Sequence, residues 1–582
     1  MRLRPALGCV ILVSTLVGRA QAQSAVRQLF DVRIPMRDGV TLSADIWLPA
    51  APGRYPIVLT RTPYLKTGAK MATFAHAYAG RGYAFVAQDT RGRGDSDGRF
   101  SWLQDDATDG YDTIEWLAAQ PWSNGRVGMT GGSYVGTVQW LAARERPPHL
   151  TCILPKAAAG RWFDETPYLG GAFLMGFALS WANLTSGHIA QNPNAVLVDW
   201  EPIYRHRPLG SMDSAMGRHI PVYQDWLRHP TFDKYWRRIT VDDTDFARID
   251  LPAFTVTGWF DADQSGALHY WRGMRRHSPA RDRQYLLIGP WQHITTISGH
   301  GPTRLGELEF SPESVVDVQA NDFRWFDACL KGQGTFKAPR ARIYLTGIDQ
   351  WRDLTDYPPP EAAVRRLYLH SAGHANTFSG DGTLDWTSPD APEPVDRYTY
   401  DPTVPIPIAE VQEDGVDQRH LDGRDDVLVY TSAPLDQAVT VVGTVFVEIA
   451  AATDARDTDF MAKIMDVYPD GRTPKLGSKT VGVRRARYRH GYDREEPVTP
   501  GAVETYRIEL FDLGHVFLAG HRIRIDLSSS ASPAVAPNAN TGNPIATDTT
   551  SVVAHQTIHH DREHPSFVLL PVMPASEAPP HG

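Results

Sequence analysis

The stretch Arg126-Val127-Gly128-Met129-Thr130-Gly131-Gly132-Ser133-Tyr134-Val135-Gly136-Thr137 constrains the fold more than any other. Its order predicts a short buried strand, a glycine-rich sharp turn, and a helix running on through Trp140, Leu141, Ala142 and Ala143. A serine at such a turn sits on strained backbone, with its hydroxyl standing clear above a sheet. Gly131 and Gly136 leave out side chains where the turn and the helix start would collide. The N–H of Tyr134 then points into the same space and can bind a developing oxyanion. The common form of the motif is G-x-S-x-G, whereas here the closing glycine comes one residue later. A Gly-Gly-Ser turn between strand and helix can also be only a turn.

The neighbouring sequence decides between these readings. Strands are expected at 31–35, 41–48, 57–60 and 83–87, with helices at 74–80 and 111–119. Alternation of this kind predicts a mostly parallel sheet covered on both faces, an α/β fold. The loop 89–96, rich in charge and glycine, reads as structural. Asp105, Asp109 and Gly110 resemble a calcium loop only superficially, because Trp116 stands where a bidentate Glu is needed. From 160 to 249 the pattern turns helical, dense in Trp and Phe and without a clear strand. The α/β pattern resumes with strands at 253–257 and 285–288 and helices near 266–275 and 319–330. Beyond 338 the runs alternate or are β-branched, predicting an all-β sandwich. The expected organisation is therefore a first core part at 23–159, a helical cap insertion at 160–249, a second core part at 250–338 and a β-sandwich at 339–582.

The opening reads as a secretory signal over 1–22. Arg2 and Arg4 precede an apolar run at 6–18 and the Ala20-Gln21-Ala22 cleavage site. That run is too short to span a bilayer. Cys9 lies too early in it to read as a lipoprotein site. Losing Arg2, Arg4 and Arg19 with the leader would take the formal net charge from −9 to −12. No basic patch remains to favour nucleic acid or an anionic membrane. An exported enzyme, periplasmic or extracellular, is expected. Cys152 and Cys329 are then the remaining cysteines, and buried free thiols are the expectation rather than a pair. His555, His559, His560 and His564 could hold zinc, but they fall on a strand and turn whose residues alternate faces. No metal and no cofactor are expected.

An activated serine needs a base, and the base an orienting acid. In an α/β-hydrolase they follow in the order serine, acid, histidine, each on a loop after a strand. The strand at 253–257 runs into Gly258-Trp259-Phe260-Asp261, and that at 285–288 into Gly289-Pro290-Trp291-Gln292-His293. Ser133, Asp261 and His293 are therefore the candidate catalytic residues. A loop aspartate or a lone histidine is usually structural, but three in this order, each past a strand, make coincidence a poor account.

Gly-Gly-Ser-Tyr-Val-Gly, Gly-Trp-Phe-Asp and Gly-Pro-Trp-Gln-His resemble the signatures of the cocaine-esterase family. That family is related to X-Pro dipeptidyl-peptidases, α-amino-acid ester hydrolases and glutaryl-cephalosporin acylases. The resemblance covers nearly the whole chain, including 345–352 and 459–463. It implies an α/β-hydrolase core, an inserted helical cap and a C-terminal jelly roll. It also implies that Tyr64, in Arg61-Thr62-Pro63-Tyr64, completes the oxyanion hole with the Tyr134 N–H. The acyl pocket departs from the pattern, with Asp263 where the family's namesake has an aromatic residue. Amino-acid ester hydrolases carry acids at the two positions that here are Asp263 and Gln264, and a third near Glu165. Asp263 and Glu165 are therefore candidate substrate-binding residues. Asp263 could instead turn outward to water or to a cap arginine such as Arg161.

The expected activity is hydrolysis of small esters or amides through an acyl-enzyme. The alternatives are an α-amino-acid ester hydrolase or β-lactam acylase, an X-Pro dipeptidyl-peptidase, and a carbohydrate- or surface-binding protein with an idle hydrolase core. The expected partner is a small-molecule ester or amide substrate, with no nucleic acid and no membrane span.

Overall fold

The computed structural model describes residues 26–68, 70–189, 198–299, 301–408, 414–477 and 481–574. The expected leader at 1–22 lies outside them. Ten strands form one sheet: β1 Arg27–Pro35, β2 Thr41–Leu48, β3 Tyr55–Thr62, β4 Ala84–Asp89, β5 Ser123–Gly132, β6 Leu150–Lys156, β7 Ala253–Phe260, β8 Gln284–Gln292, β9 Ala341–Leu345 and β10 Gln350–Leu354. Their order is β1-β2-β4-β3-β5-β6-β7-β8-β9-β10. Every neighbouring pair from β4 to β9 is parallel, and the outer pairs are antiparallel.

All of β4 and β7 is buried, as continuous apolar runs require when both faces are covered. One face packs on α1 Met71–Ala79 and α8 Val318–Cys329, through Tyr78, Phe323 and Phe326. The other packs on α2 Asp106–Ala118 and α3 Tyr134–Glu145, through Ile114, Leu117, Val138 and Leu141. Between β7 and β8 runs α6 Gln264–His277, and α7 His293–Ser298 follows β8 directly.

Residues 160–249 carry α4 Met175–Leu184, α5 Pro221–Arg228 and several shorter helices. A hairpin of Tyr168–Leu169 with Ala172–Phe173 also lies here, which the sequence did not predict. Strands of two residues are too short to show alternation. This cap is tied down by aromatic contacts. The Trp102 ring from the core meets Trp226 at 4.9 Å and Trp162 at 5.2 Å, both nearly edge-on.

The sandwich comprises β11 Ala363–His370, β12 Thr383–Asp385, β13 Asp396–Tyr400, β14 Leu428–Ser432, β15 Val439–Thr453, β16 Asp459–Val467, β17 Gly482–Arg485, β18 Glu504–Phe517, β19 Arg522–Ser528, β20 Ala554–His559 and β21 Phe567–Val572. The long strands β15 and β18 pair antiparallel along most of their length. Arginine–aspartate pairs lie inside: Arg485 grips Asp459 bidentately through Nε and Nη2, both at 2.8 Å, and Arg487 reaches Asp457 through Nε at 2.8 Å. His560 sits between Glu393 (2.9 Å) and Asp396 (3.0 Å), and His555 pairs with Asp454. The four histidines flagged in the sequence thus do not converge: separate carboxylates hold His555 and His560, while the rings of His559 and His564 rest against each other at 5.3 Å.

Two expectations are corrected. Strand β9 and its partner β10, read from the sequence as the start of the sandwich, hydrogen-bond to the edge of the α/β sheet. A strand's own residues do not say which neighbour will take its edge. Cys152 and Cys329, expected as free thiols, form a disulfide. Cys152 on β6 and Cys329 at the end of α8 share one apolar layer, with Cα atoms 6.4 Å apart, inside the usual span of such a bond. A separation of 177 residues gives no local sign of it.

Candidate active site

The strand ends build the site. Strand β5 finishes at Gly132, and Ser133 turns the chain at φ 63°, ψ −132° before α3 begins. Positive φ in a residue other than glycine or asparagine is uncommon and costs of order 1–3 kcal/mol. The surroundings hold it there: the Ser133 N–H donates to Lys156 O (3.0 Å), and its carbonyl accepts from Gly136 and Thr137. A Cβ at Gly131 would overlap Val135, and one at Gly136 would meet Lys156 O at 2.8 Å. The two glycines are therefore required by close approach. As the first residue of α3, Tyr134 has no intrahelical acceptor for its N–H.

Asp261 follows β7 and is fully buried. Its Oδ1 lies 2.7 Å from His293 Nδ1 and accepts the Asp263 N–H at 3.0 Å, while Oδ2 accepts from Thr257 Oγ1 at 3.1 Å. The carboxylate thereby selects the tautomer protonated at Nδ1, leaving His293 Nε2 unprotonated. His293 opens α7, immediately past β8, and lines the same cavity as Ser133.

That cavity encloses about 570 Å³ and brings Ser133, His293, Tyr64, Tyr134, Asp263 and Glu165 together. The Tyr64 hydroxyl meets the Ser133 side chain and accepts a hydrogen bond from Trp181 Nε1 at 3.0 Å. With its oxygen so occupied, the tyrosine proton is left to donate. Burial raises the Tyr64 pKa, so the phenol stays protonated at neutral pH. The Trp181 ring also stacks on Tyr134. The Tyr134 hydroxyl is turned away from the cavity chemistry: it donates to Asp106 and accepts the Leu103 N–H at 3.1 Å. Asp106 is in turn paired with buried Arg61 at 3.0 Å.

Asp263 caps the start of α6 without a side-chain capping bond, and its Oδ2 lies 3.8 Å from His293 Nδ1. It faces the cavity rather than Arg161, which is engaged by Asp164 and Glu509. Glu165 is buried, accepting from the N–H groups of Gly160 (2.8 Å), Arg161 (3.0 Å) and Gly266 (2.7 Å). Burial first, and then the nearby Asp263, push its pKa well above the usual carboxylate range. Gln264, at the position where amino-acid ester hydrolases are expected to carry an acid, points elsewhere: its amide clasps the backbone of Asp512 on β18.

Sequence reasoning missed Trp181, which steadies Tyr64, and Phe511, which enters the cavity from the sandwich. Trp181 lies in a stretch full of aromatics, so nothing local marked it out. Phe511 has φ 68°, a conformation invisible in the letters around it.

Residues 38–295 match the family described as X-Pro dipeptidyl-peptidase (S15 family), and residues 334–569 match the X-Pro dipeptidyl-peptidase C-terminal non-catalytic domain. The cocaine esterase of Rhodococcus sp. (strain MB1 Bresler) is 34% identical over 574 residues, covering 93% of this chain and 98% of that protein. A solved aminopeptidase from the marine sediment archaeon Thaumarchaeota archaeon is similar with a TM-score of 0.83 and 27% identity, covering 97% of this chain and 99% of the other. An α-amino acid ester hydrolase structure gives a TM-score of 0.82 at 26% identity, covering 96% and 100%. On this similarity along nearly its whole length, the chain belongs to the cocaine-esterase family of serine hydrolases.

Proposed function

We propose that the protein hydrolyses esters or amides of small acyl groups through an acyl-enzyme on Ser133. The observation that carries this reading is the 2.7 Å contact of His293 Nδ1 with buried Asp261, in the cavity where Ser133 stands on its strained turn. Ser133 Oγ attacks the acyl carbonyl carbon as His293 Nε2 takes its proton. The oxyanion is received by the Tyr134 N–H and the Tyr64 O–H. The imidazolium, held by Asp261, protonates the leaving alcohol or amine as the bond to it breaks. Water, deprotonated by the same imidazole, attacks the acyl-serine, and the proton returns to Ser133 as the acid departs. Labelling by a fluorophosphonate tests the nucleophile: wild type should label and Ser133→Ala should not.

A finer reading concerns the acyl group. Asp263 on the cavity wall, with Glu165 behind it, supports a preference for acyl groups bearing a protonated α-amine. At ~4 Å and an effective dielectric of about 20 the attraction is up to about 4 kcal/mol, and desolvation removes much of it. A net preference of roughly ten- to a hundredfold in kcat/KM is expected. The comparison is phenylglycine methyl ester against phenylacetic methyl ester, on wild type and Asp263→Asn. No preference in wild type, or one that survives the substitution, removes the idea. The Cys152–Cys329 disulfide supports an oxidising compartment, in keeping with the leader expected over 1–22.

A further inference from the structure

We propose that Phe511, a residue of the sandwich, sets the size of acyl group the site accepts, and that Gln264 acts as the positioning residue that holds it there. This rests on the acyl-enzyme reading above. Strand β18 pairs with β15 as Asp512 opposite Thr444 and Glu509 opposite Phe446. Two residues, Leu510 and Phe511, therefore stand against Val445 alone. Such a bulge bends a strand and re-aims a side chain, and Phe511 takes φ 68° there. Its ring enters the cavity and packs in one apolar cluster with Leu174 of the cap. Glu165 and Leu174 are both cap residues that line the cavity, and Phe511 meets the cap there through Leu174.

A strained, re-aimed residue needs its neighbours fixed. Asp512 supplies the anchor. Its N–H donates to Gln264 Oε1 (2.9 Å), and its carbonyl accepts from Gln264 Nε2 (3.1 Å). Its carboxylate accepts from the Tyr357 hydroxyl (2.7 Å) and Thr444 Oγ1 (3.0 Å), and pairs with Arg272 on α6. Gln264 stands three residues after Asp261. One helix start thus carries both the acid that orients His293 and the amide that registers the sandwich wall against it. The amide is needed chemically, because one of its arms must donate and the other accept. A carboxylate at 264 would set an acceptor against the Asp512 carbonyl.

The test compares kcat/KM for p-nitrophenyl diphenylacetate and p-nitrophenyl acetate on wild type, Phe511→Ala, the milder Phe511→Leu, and Gln264→Met. The bulky-to-small ratio should rise about tenfold in Phe511→Ala and Gln264→Met. It should rise less in Phe511→Leu, and the double variant should add little to the larger single change. In each variant the acetate ester should change less than the diphenylacetate ester does, a split that a merely structural role for Gln264 would not predict. A ratio unchanged in variants that retain the wild-type Tm overturns the proposal. Calorimetric binding of diphenylacetate and acetate, which needs no turnover, reads the same selectivity. If wild type hydrolyses neither ester the acyl-enzyme reading fails, and the binding arm still decides the role of Phe511: a relative gain for diphenylacetate in Phe511→Ala upholds it, and no gain sinks it.

Discussion

The α/β sheet and the sandwich both bury charged groups, and they use them in opposite ways. At the sheet's strand ends the acids stand beside a cavity: buried Asp261 holds His293 of its lining, and half-buried Asp263 lies near buried Glu165 of the cap, both on its wall. In the sandwich the acids are enclosed by arginine, asparagine and backbone donors, as where Asn538 bridges Asp457 and Asp459 beside Arg485 and Arg487. The difference teaches that burial alone does not mark a site. An ionisable group reads as functional when its partners leave one side open to a ligand, and as a staple when they close every side.

The largest expected effect lies in the sheet. Ser133→Ala, His293→Ala and the double variant should each lose about 10⁴–10⁶ in kcat, because the residues act as one unit, with Tm nearly unchanged. A tenth of wild-type turnover left in Ser133→Ala would erase the contrast between the two regions. Next comes the sandwich. Asp459→Ala leaves Arg485 buried without its carboxylate, and should cost about 3–5 kcal/mol of stability, read as a fall in Tm. The folded fraction should keep its turnover per site, measured by active-site titration. A loss of turnover in fully folded protein would make the sandwich charges functional after all.

Tyr64→Phe sharpens the contrast at its smallest chemical change. Removing the hydroxyl should lower kcat about 10²–10³-fold, some 2.7–4 kcal/mol, with KM little altered. An effect on KM alone would move Tyr64 from the oxyanion to substrate binding. The smallest effect is expected at His560. Burial alone would lower its pKa, but Asp396 and Glu393 outweigh burial and hold it above the ordinary value. A histidine raised in the folded state contributes stability that is full below its unfolded value of about 6.5 and lost as pH climbs through the folded one. The Tm advantage of wild type over His560→Gln should therefore be larger at pH 6 than at pH 9. An advantage that is flat, or grows with pH, would show that the pair is not held as an ion pair.

Much of this was legible in the chain itself. The three motif loops could be read because each ends a strand of unmistakable apolar character, and because strand ends in a parallel sheet share one edge. Tyr64 and the acids Asp263 and Glu165 needed a family resemblance to be noticed, yet they fall in the same cavity. What stayed hidden depends on partners distant in sequence. Strands β9 and β10 looked like any others until the sheet edge took them. Gln264 looked like a missing acid, and only the Asp512 backbone, 248 residues away, explains an amide there. Local pattern carries periodicity and turns; it carries no information about who stands opposite.

The bond between Cys152 and Cys329 has a consequence for proteolysis. It closes a covalent ring that contains the entire cap and both Asp261 and His293, while Ser133 lies outside it. A protease cutting once anywhere between the two cysteines cannot release a fragment, since both new ends remain attached to the same skeleton. A cap nicked in a protease-rich setting would therefore run as one chain without reductant and as two pieces with it. Ser133 would stay covalently joined to Asp261 and His293.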